Sequence, residues 1–168
     1  MAVFWRLGSA VSYRKEREGA KGAKEMGMPD ELEPTIYDGR TVIPDELNAL
    51  SRLAIGACIA VHKELGAGLP EQAYANALAL ELDARGIEFE REKSVEIRYR
   101  GKLVGRCRLD FLIGRRLLLE TKAVKALTDL DRSQVITYLR LTKQPLGLLI
   151  SFNVPILKSG IKRVLCSD

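Results

Sequence analysis

The chain has 168 residues, of which 46% are hydrophobic and 29% are charged, a balance typical of one globular domain with a substantial core. The apolar run over residues 1–5 is short and is followed by Arg6, and no later run is long enough to span a bilayer. We therefore expect no signal peptide, no membrane segment and a cytoplasmic protein. Three cysteines and one histidine offer little material for a disulfide framework, a zinc site or a Ser-His-Asp triad.

The net charge of +5 is carried by the second part of the chain. Residues 1–46 contain seven Lys and Arg against nine Asp and Glu, and the remaining residues contain 20 against 13. The basic side chains concentrate in one region, at Arg98, Arg100, Lys102, Arg106, Arg108, Arg115 and Arg116. A solvated surface and a surface that binds a phosphate backbone both explain such an excess, so the charge alone does not choose between them.

The first 44 residues mix Gly, Lys, Glu and Pro without a sustained apolar period, which predicts a disordered or loosely packed N-terminal extension. One domain then covers residues 45–168. From Pro44, apolar residues recur at three- and four-residue steps and predict an amphipathic helix that ends before Gly66. The stripe consists of Leu47, Leu50, Ala54, Ala57, Val61 and Leu65. We interpret His62 as a boundary or surface residue of this helix.

A second helix is predicted from Pro70 to about Arg85, with Gly86 as its stop. Its apolar stripe consists of Tyr74, Leu78 and Leu82. The glycine-containing loop before it does not follow a strand and is not followed by Lys-Ser/Thr, which excludes a nucleotide-binding loop. Glu71 in the first turn could be no more than an acid favoured by the helix dipole.

The hydrophobic period then changes to two, which predicts strands. Val95, Ile97 and Tyr99 alternate with charged residues in a half-exposed strand, and Arg100-Gly-Lys makes a turn into a partner strand. A Gly114 turn joins that partner to a third strand, Leu117-Leu-Leu-Glu-Thr-Lys, in a mostly antiparallel meander. Regular alternation puts Asp110 on the same face as Arg106 and Arg108, opposite the apolar Cys107, Leu109 and Phe111.

A third helix is predicted after Thr128 or Asp129, either of which could cap it. One face of the helix carries Leu130, Gln134, Tyr138 and Leu141. Gln134, the polar member, could be a satisfied boundary amide or a group that supports a site or contacts DNA. The run from Leu146 predicts a buried strand, and the run from Gly160 predicts a final edge strand.

Three charged side chains interrupt the apolar runs of the second and third strands. Glu120 and Lys122 share one face of the third strand, and the turn at Gly114 could bring Asp110 next to Glu120. A buried ion-pair network is one interpretation of this group. The other is a Mg²⁺ site, because Mg²⁺ favours carboxylate and water oxygens, with Lys122 placed to orient an attacking water and to stabilise charge on a phosphate.

The order helix, three strands, helix and strand, with Asp110 near the second turn and Glu120-Thr-Lys122 in the third strand, resembles the PD-(D/E)XK nuclease superfamily. More narrowly, Gly68-Leu-Pro-Glu71-Gln-Ala-Tyr74 is similar to the signature of the GxxExxY protein family, a bacterial branch of that superfamily. The similarity runs from about Leu47 to the C-terminus. Further matching segments are His62-Lys-Glu-Leu-Gly, Gln134 with Tyr138-Leu, Asn153-Val-Pro and Gly160-Ile-Lys-Arg. Leu109 replaces the proline of the superfamily motif.

The resemblance implies an α/β fold with a restriction-endonuclease-like core, αβββαβ, in which helices flank a mixed central sheet. It implies a catalytic set of Lys122, Glu120, Asp110 and Glu71. The three acids of this set would be the ligands of Mg²⁺, with Mn²⁺ as an alternative. We also predict that five residues support the site or bind substrate, namely Gln134, Tyr138, Tyr74, Arg106 and Arg108.

The function implied is Mg²⁺-dependent hydrolysis of phosphodiester bonds in nucleic acid, with DNA favoured over RNA. Members of the superfamily often act as dimers, so a homodimer is compatible with the sequence. The main alternative is a non-catalytic module that keeps the nuclease fold and binds nucleic acid or serves as a scaffold for a partner. The ion-pair network described above is a third interpretation, in which the charges serve stability alone.

Overall fold

The computed structural model describes residues 35–37 and 40–166. Most of the predicted N-terminal extension, residues 1–44, lies outside the described residues, so its boundary stays a prediction. Within it, two short antiparallel strands pair with each other, β1 (Thr35–Tyr37) and β2 (Arg40–Val42). The sequence pattern did not predict these strands.

The two N-terminal helices form where the apolar stripes predict them, α1 over Asp45–Leu65 and α2 over Glu71–Ala84. The first helix ends at Gly66, whose φ of 69° is accessible to glycine at little cost. The predicted stripes are buried, except that Leu50 is only partly buried and Leu65 at the end of α1 is 38% exposed. No helix in the described part of the chain is long and apolar enough to cross a membrane.

Five strands form one mixed sheet in the order β3 (Phe89–Tyr99), β4 (Lys102–Ile113), β5 (Leu117–Lys122), β6 (Leu146–Ser151) and β7 (Ile161–Leu165). Neighbouring strands are antiparallel except β5 and β6, which are parallel and are connected by helix α3 (Asp129–Thr142). A parallel pair needs such a crossover because its strands start at the same edge of the sheet. The predicted mixed α/β sheet with flanking helices, a restriction-endonuclease-like arrangement, is confirmed.

The sheet separates two hydrophobic cores. Leu117 and Leu119 of β5 pack with α1 and α2 in the larger core, whereas Leu118 packs with α3 in the smaller one. This alternation is what a strand buried on both faces requires. The central strand β5 is therefore held from both sides, and the polar residues at its C-terminal end are placed by a rigid element.

The buried face of α3 differs from the predicted one. The helix buries Val135 and Leu139, whereas Leu130 of the predicted stripe is 79% exposed. The cause lies on β6, where Gly147 leaves room for the helix to approach: a Cβ atom on this glycine would lie 2.7 Å from Cγ1 of Val135. Close helix–sheet contact at a glycine fixes the rotation of the helix, and the helix sequence alone does not reveal it.

Gly160 permits another close approach, at the end of the turn before β7. A Cβ atom there would press against the backbone oxygen of Ser151 at the end of β6. We therefore expect Gly160→Ala to lower the free energy of unfolding by roughly 1–3 kcal/mol or more, because backbone cannot yield as a flexible side chain can. Urea unfolding followed by circular dichroism would measure the loss.

Gly56→Ala is the matched control for that substitution. Gly56 lies inside α1, and its added methyl would meet only the guanidinium end of Arg85, at 3.4 Å. Because alanine favours helix over glycine, we expect this variant to be as stable as the wild type or about 1 kcal/mol more stable. Equal stabilities of the two alanine variants would contradict the proposed contact at Gly160.

Candidate active site

The candidate site lies where the ladder between β4 and β5 stops. The two strands pair only from Phe111 opposite Leu119 to Ile113 opposite Leu117. Asp110 has no ladder partner on β5, and the ladder with β3 also skips it, together with Glu92. The side chain of Asp110 is therefore half-buried beside strands that have begun to separate, which opens space for another molecule at this edge.

The strand β4 changes face at the same point. Leu109 belongs to the core under α3, whereas Phe111 belongs to the core under α1 and α2. Regular alternation would put both on one face, so the predicted uniform alternation of β4 is wrong. Glu92 of β3, opposite the irregularity, has a φ of 53°, which is uncommon for a residue other than glycine.

Asp110 is held by hydrogen bonds from β5. Its Oδ2 atom accepts from the backbone nitrogen of Thr121 at 2.8 Å and from the hydroxyl Oγ1 of Thr121 at 2.7 Å. Both donors use one carboxylate oxygen, so the bonds fix the orientation of the group. Thr121 was not among the predicted site residues. Its only signal in the sequence is its position between Glu120 and Lys122.

The buried Glu120 and the partly buried Lys122 form an ion pair. Nζ of Lys122 lies 2.8 Å from Oε1 of Glu120, and the side chains are 15% and 3% exposed. The other carboxylate oxygen, Oε2 of Glu120, is buried and has no hydrogen-bond partner in the described part of the molecule. A buried charged oxygen without a partner is costly, so the site is incomplete as a purely structural ion pair.

The surroundings raise the pKa values of both residues of this pair. Burial, together with the nearby charge of Asp110, raises the pKa of Glu120 to about 7. Burial also acts to lower the pKa of Lys122, but the hydrogen bond and charge of Glu120 outweigh it, and the pKa of this lysine is raised. At neutral pH the lysine is therefore charged, and the protonated and ionised forms of Glu120 are both populated.

Glu71 borders the same region from the first turn of α2. Partial loss of solvent around its carboxyl group raises the pKa of Glu71, and the charges of Lys122 and Asp110 act on this pKa in opposite directions. Its side chain is exposed, unlike that of Glu120. A cleft runs past it and is lined by Glu71, Gln72, Ala75, Arg91, Glu92, Arg108, Asp110, Phe111 and Thr121. The site thus joins the start of α2 to the separating ends of β4 and β5.

One comparison with known proteins decides the family. A family model of the PD-(D/E)XK nuclease superfamily matches residues 48–164, which is most of the chain. The chain belongs to the PD-(D/E)XK nuclease superfamily. No curated protein and no solved structure matches the chain.

The other residues predicted for this superfamily member fall into two groups. Nε2 of Gln134 donates to the hydroxyl of Tyr138 at 2.8 Å, and both side chains are half-buried on α3. Arg106 and Arg108 are exposed on β4 and pair weakly with Glu96 at 3.4 Å and Glu92 at 3.9 Å. Of the two arginines, Arg108 lines the cleft.

Tyr74 is fully buried and braces the loop before α2. Its hydroxyl donates to the backbone oxygen of Gly66 at 2.7 Å and accepts from the backbone nitrogen of Leu69 at 3.1 Å. Its ring stacks on Phe152 at a centroid distance of 4.7 Å. Nε2 of His62 lies 2.8 Å from the carbonyl oxygen of Val154, and the residue is buried, not at the surface as one of the two interpretations had it. Tyr74 therefore ties the start of α2 to the loop before it and to Phe152 after β6.

The donor set fits a divalent metal ion in its chemistry. Asp110 and Glu120 supply carboxylate oxygens, which Mg²⁺ prefers, and the partnerless Oε2 of Glu120 is an oxygen that a cation would satisfy. The described residues contain no group of three or more His, Cys, Asp or Glu side chains arranged to hold a metal. The fit therefore rests on the two strand carboxylates, with Glu71 as a further, exposed acid.

The pKa of Glu120 predicts a pH dependence of stability. Between about pH 4.5 and 7 the folded protein keeps on Glu120 a proton that the unfolded chain has already lost. The free energy of unfolding should therefore fall as pH rises through this window, by up to about 3 kcal/mol for a shift of this size. Urea unfolding in EDTA at several pH values would measure it. If the free energy of unfolding of Glu120→Gln fell as steeply with pH as that of the wild type, other groups would be responsible for the effect.

Proposed function

We propose that the protein is a metal-dependent nuclease that hydrolyses phosphodiester bonds, with Mg²⁺ or Mn²⁺ as its metal and DNA rather than RNA as its substrate. The observation that carries the proposal is the state of Glu120, which is buried, paired to a lysine through one oxygen and partnerless at the other, beside a second carboxylate. A binding module has no need for such a group, whereas metal-assisted hydrolysis needs acids held ready for a cation.

In this proposal Asp110, Glu120 and Glu71 hold the metal. The bound ion would supply a Lewis acid for the phosphate oxygens. Thr121 fixes the carboxylate of Asp110 through its two hydrogen bonds, so that Oδ1 stays free to act as a ligand. Burial of Glu120 excludes water from its unpaired oxygen and strengthens the attraction of this oxygen for a cation.

Lys122 acts as a charged donor. Its raised pKa keeps it protonated at neutral pH, so it is unsuited to accept a proton from water. An ammonium group has three N–H donors, and one of them bonds to Glu120 at 2.8 Å. The others can orient the attacking water and stabilise the negative charge that develops on the phosphate. Its pairing with Glu120 holds it at the metal-binding end of β5.

We further propose that the chain belongs to the GxxExxY branch, because each signature residue has a structural task. Gly68 has a φ of 105°, which disfavours any side chain. Glu71 borders the cleft, and Tyr74 ties the loop through its hydroxyl. The signature thus builds the side of the site that β4 and β5 leave open.

A non-cleaving nucleic-acid-binding module is the second candidate. It is favoured by the exposure of Glu71 and by the absence, among the described residues, of a group of three or more His, Cys, Asp or Glu side chains that could hold a metal. Such a module would bind nucleic acid with two carboxylates left over from a nuclease site. It would give the same salt-dependent binding as the enzyme, so only product formation separates the two.

The experiment that tests the proposal is a cleavage assay on labelled single-stranded, duplex, flapped and branched DNA and on matching RNA. Each substrate is incubated with Mg²⁺, Mn²⁺ or EDTA, and the products are separated on denaturing gels. We expect products only with metal, and more from DNA than from RNA. Binding without product on every substrate and with either metal would favour the non-cleaving module.

A further inference from the structure

The hairpin of β3 and β4 continues well beyond the rest of the sheet. The strands pair with each other as far as Tyr99 opposite Lys102, whereas β4 pairs with β5 only over Phe111–Ile113. Residues 93–108 therefore form a two-stranded arm, which we call the β-arm. Its seven paired residues on β3 span about 23 Å at roughly 3.3 Å per residue.

The sequence of the β-arm is not explained by core packing. None of residues 93–108 is fully buried, although half-buried and exposed residues alternate along both strands, and only Val95 near its base packs against the core under α3. A two-stranded hairpin without a buried face is marginally stable on its own. Its side chains are therefore free to serve an interaction, and their chemistry indicates with what.

The β-arm is strongly basic, and apolar side chains are exposed beside the charged residues of its tip. It carries six Lys and Arg, at 93, 98, 100, 102, 106 and 108, against the single acid Glu96. Glu96 is shared between Arg98 at 2.6 Å and Arg106 at 3.4 Å. Arg100 and Lys102 form no ion pair within the described residues. Beside them, three apolar or aromatic side chains are exposed, Tyr99 by 63%, Leu103 by 49% and Val104 by 61%.

We infer that the β-arm inserts into the major groove of duplex DNA, an inference that rests on the proposed nucleic-acid substrate and names its form. The major groove of B-DNA is about 12 Å wide and admits a two-stranded β-ribbon, whereas the deep, narrow major groove of A-form RNA does not. The cations suit the phosphates and base edges of the groove. Leu103 and Val104 suit the methyl groups of thymine in the groove. A surface that bound only phosphates would gain nothing from these apolar side chains.

The β-arm also begins at the candidate site. Arg108 lies two residues before Asp110 on β4, and both line the cleft with Glu92 of β3. A duplex held along the arm would therefore run past the carboxylates. The arm length of about 23 Å corresponds to roughly two thirds of a helical turn of B-DNA, which is enough for several base pairs of contact.

Binding measured in EDTA tests the inference without any cleavage. Fluorescence anisotropy would compare a DNA duplex, an RNA duplex of the same sequence and a single strand, each over a series of salt concentrations. For Arg100→Ala/Lys102→Ala we expect roughly 10- to 100-fold weaker binding of duplex DNA at about 0.1 M salt, and a salt slope reduced by about two. Binding of the RNA duplex should change by less than about threefold.

Arg52→Ala/Lys63→Ala is the matched control, because it removes the same charge from exposed positions on α1. We expect it to bind duplex DNA within about twofold of the wild type. Leu103→Ser/Val104→Thr, which keeps every charge, should weaken duplex DNA binding at least about fivefold with an unchanged salt slope. This second pair separates groove contact from simple attraction to phosphate.

Three results would overturn the inference: wild-type affinity in both tip variants, an equal loss for the RNA duplex and the single strand, or a tip that matters only for self-association in sedimentation experiments. The cleavage assay stays independent of these results. If the wild type cleaves nothing but the tip variants lose duplex DNA, the proposed function fails and the β-arm inference stands. If cleavage occurs and both tip variants bind duplex DNA as tightly as the wild type, only the β-arm inference fails.

Discussion

Lys122→Ala is expected to slow nucleic-acid cleavage by roughly 10²–10³-fold or more while substrate binding changes by less than about threefold. Lys122 is 15% exposed and pairs with Glu120, so it is poorly placed to supply much affinity for a long nucleic acid. Its contribution should arise when charge develops on the phosphate. The rate constant under single-turnover conditions and the dissociation constant in EDTA, measured for the same substrate, would separate the two effects.

Lys63→Ala and Lys122→Arg make this experiment specific. Lys63 is exposed on α1, and its removal tests the loss of one positive charge elsewhere; we expect unchanged cleavage. Lys122→Arg keeps the charge but replaces a compact ammonium with a planar fork, and we expect most of the activity to be lost. Circular dichroism must show that each variant is folded. Cleavage by Lys122→Ala at the wild-type rate would remove this lysine from the mechanism.

The helices and strands were largely predictable because their burial is periodic. The stripe of α2, Tyr74, Leu78 and Leu82, is buried as predicted, since a helix with one packed face repeats about every 3.6 residues. The turn at Arg100-Gly101 was also predictable, because glycine takes up positive φ at little cost, and both residues have positive φ, 49° and 77°, as a two-residue hairpin turn requires. The strand β3 nevertheless begins at Phe89, earlier than the alternation from Val95 indicated.

The failures occurred where a distant residue decides a local outcome. The rotation of α3 depends on Gly147 of β6, so the predicted stripe includes the exposed Leu130 and misses the buried Val135 and Leu139. At Asp110 the ladder between β4 and β5 has ended, and the ladder between β4 and β3 skips one residue on each strand. No periodicity in the sequence reports such a separation, although it creates the space that a substrate would need.

The candidate site was predictable in its composition but not in its energetics. An Asp, a Glu and a Lys at this spacing indicated either an ion-pair network or a metal site, and the sequence left both open. The structure adds that Glu120 has one oxygen without a partner and a pKa raised to about 7. These properties depend on the burial of Glu120 and on the charge of Asp110, which are tertiary effects.

Glu120→Gln should separate the two interpretations, because they predict opposite effects on stability. The wild-type protein buries a carboxylate that Asp110 repels, and glutamine resembles its neutral form. We expect the variant to lose cleavage by roughly 10²-fold or more. At pH 8 in EDTA its free energy of unfolding should be unchanged or about 1–3 kcal/mol higher than that of the wild type.

Mg²⁺ supplies the second readout of the same substitution. A ligand that binds only the folded state raises its stability, so millimolar Mg²⁺ should raise the melting temperature of the wild type but not that of Glu120→Gln. Glu88→Gln is the control, because Glu88 pairs with Arg115 on the surface, where both side chains are more than half exposed, at 67% and 77%. A structural ion network would instead make Glu120→Gln about 3–5 kcal/mol less stable and leave the wild type indifferent to Mg²⁺. Together these two results would mean that Glu120 serves the stability of the fold alone, and its partnerless oxygen would no longer support the nuclease proposal.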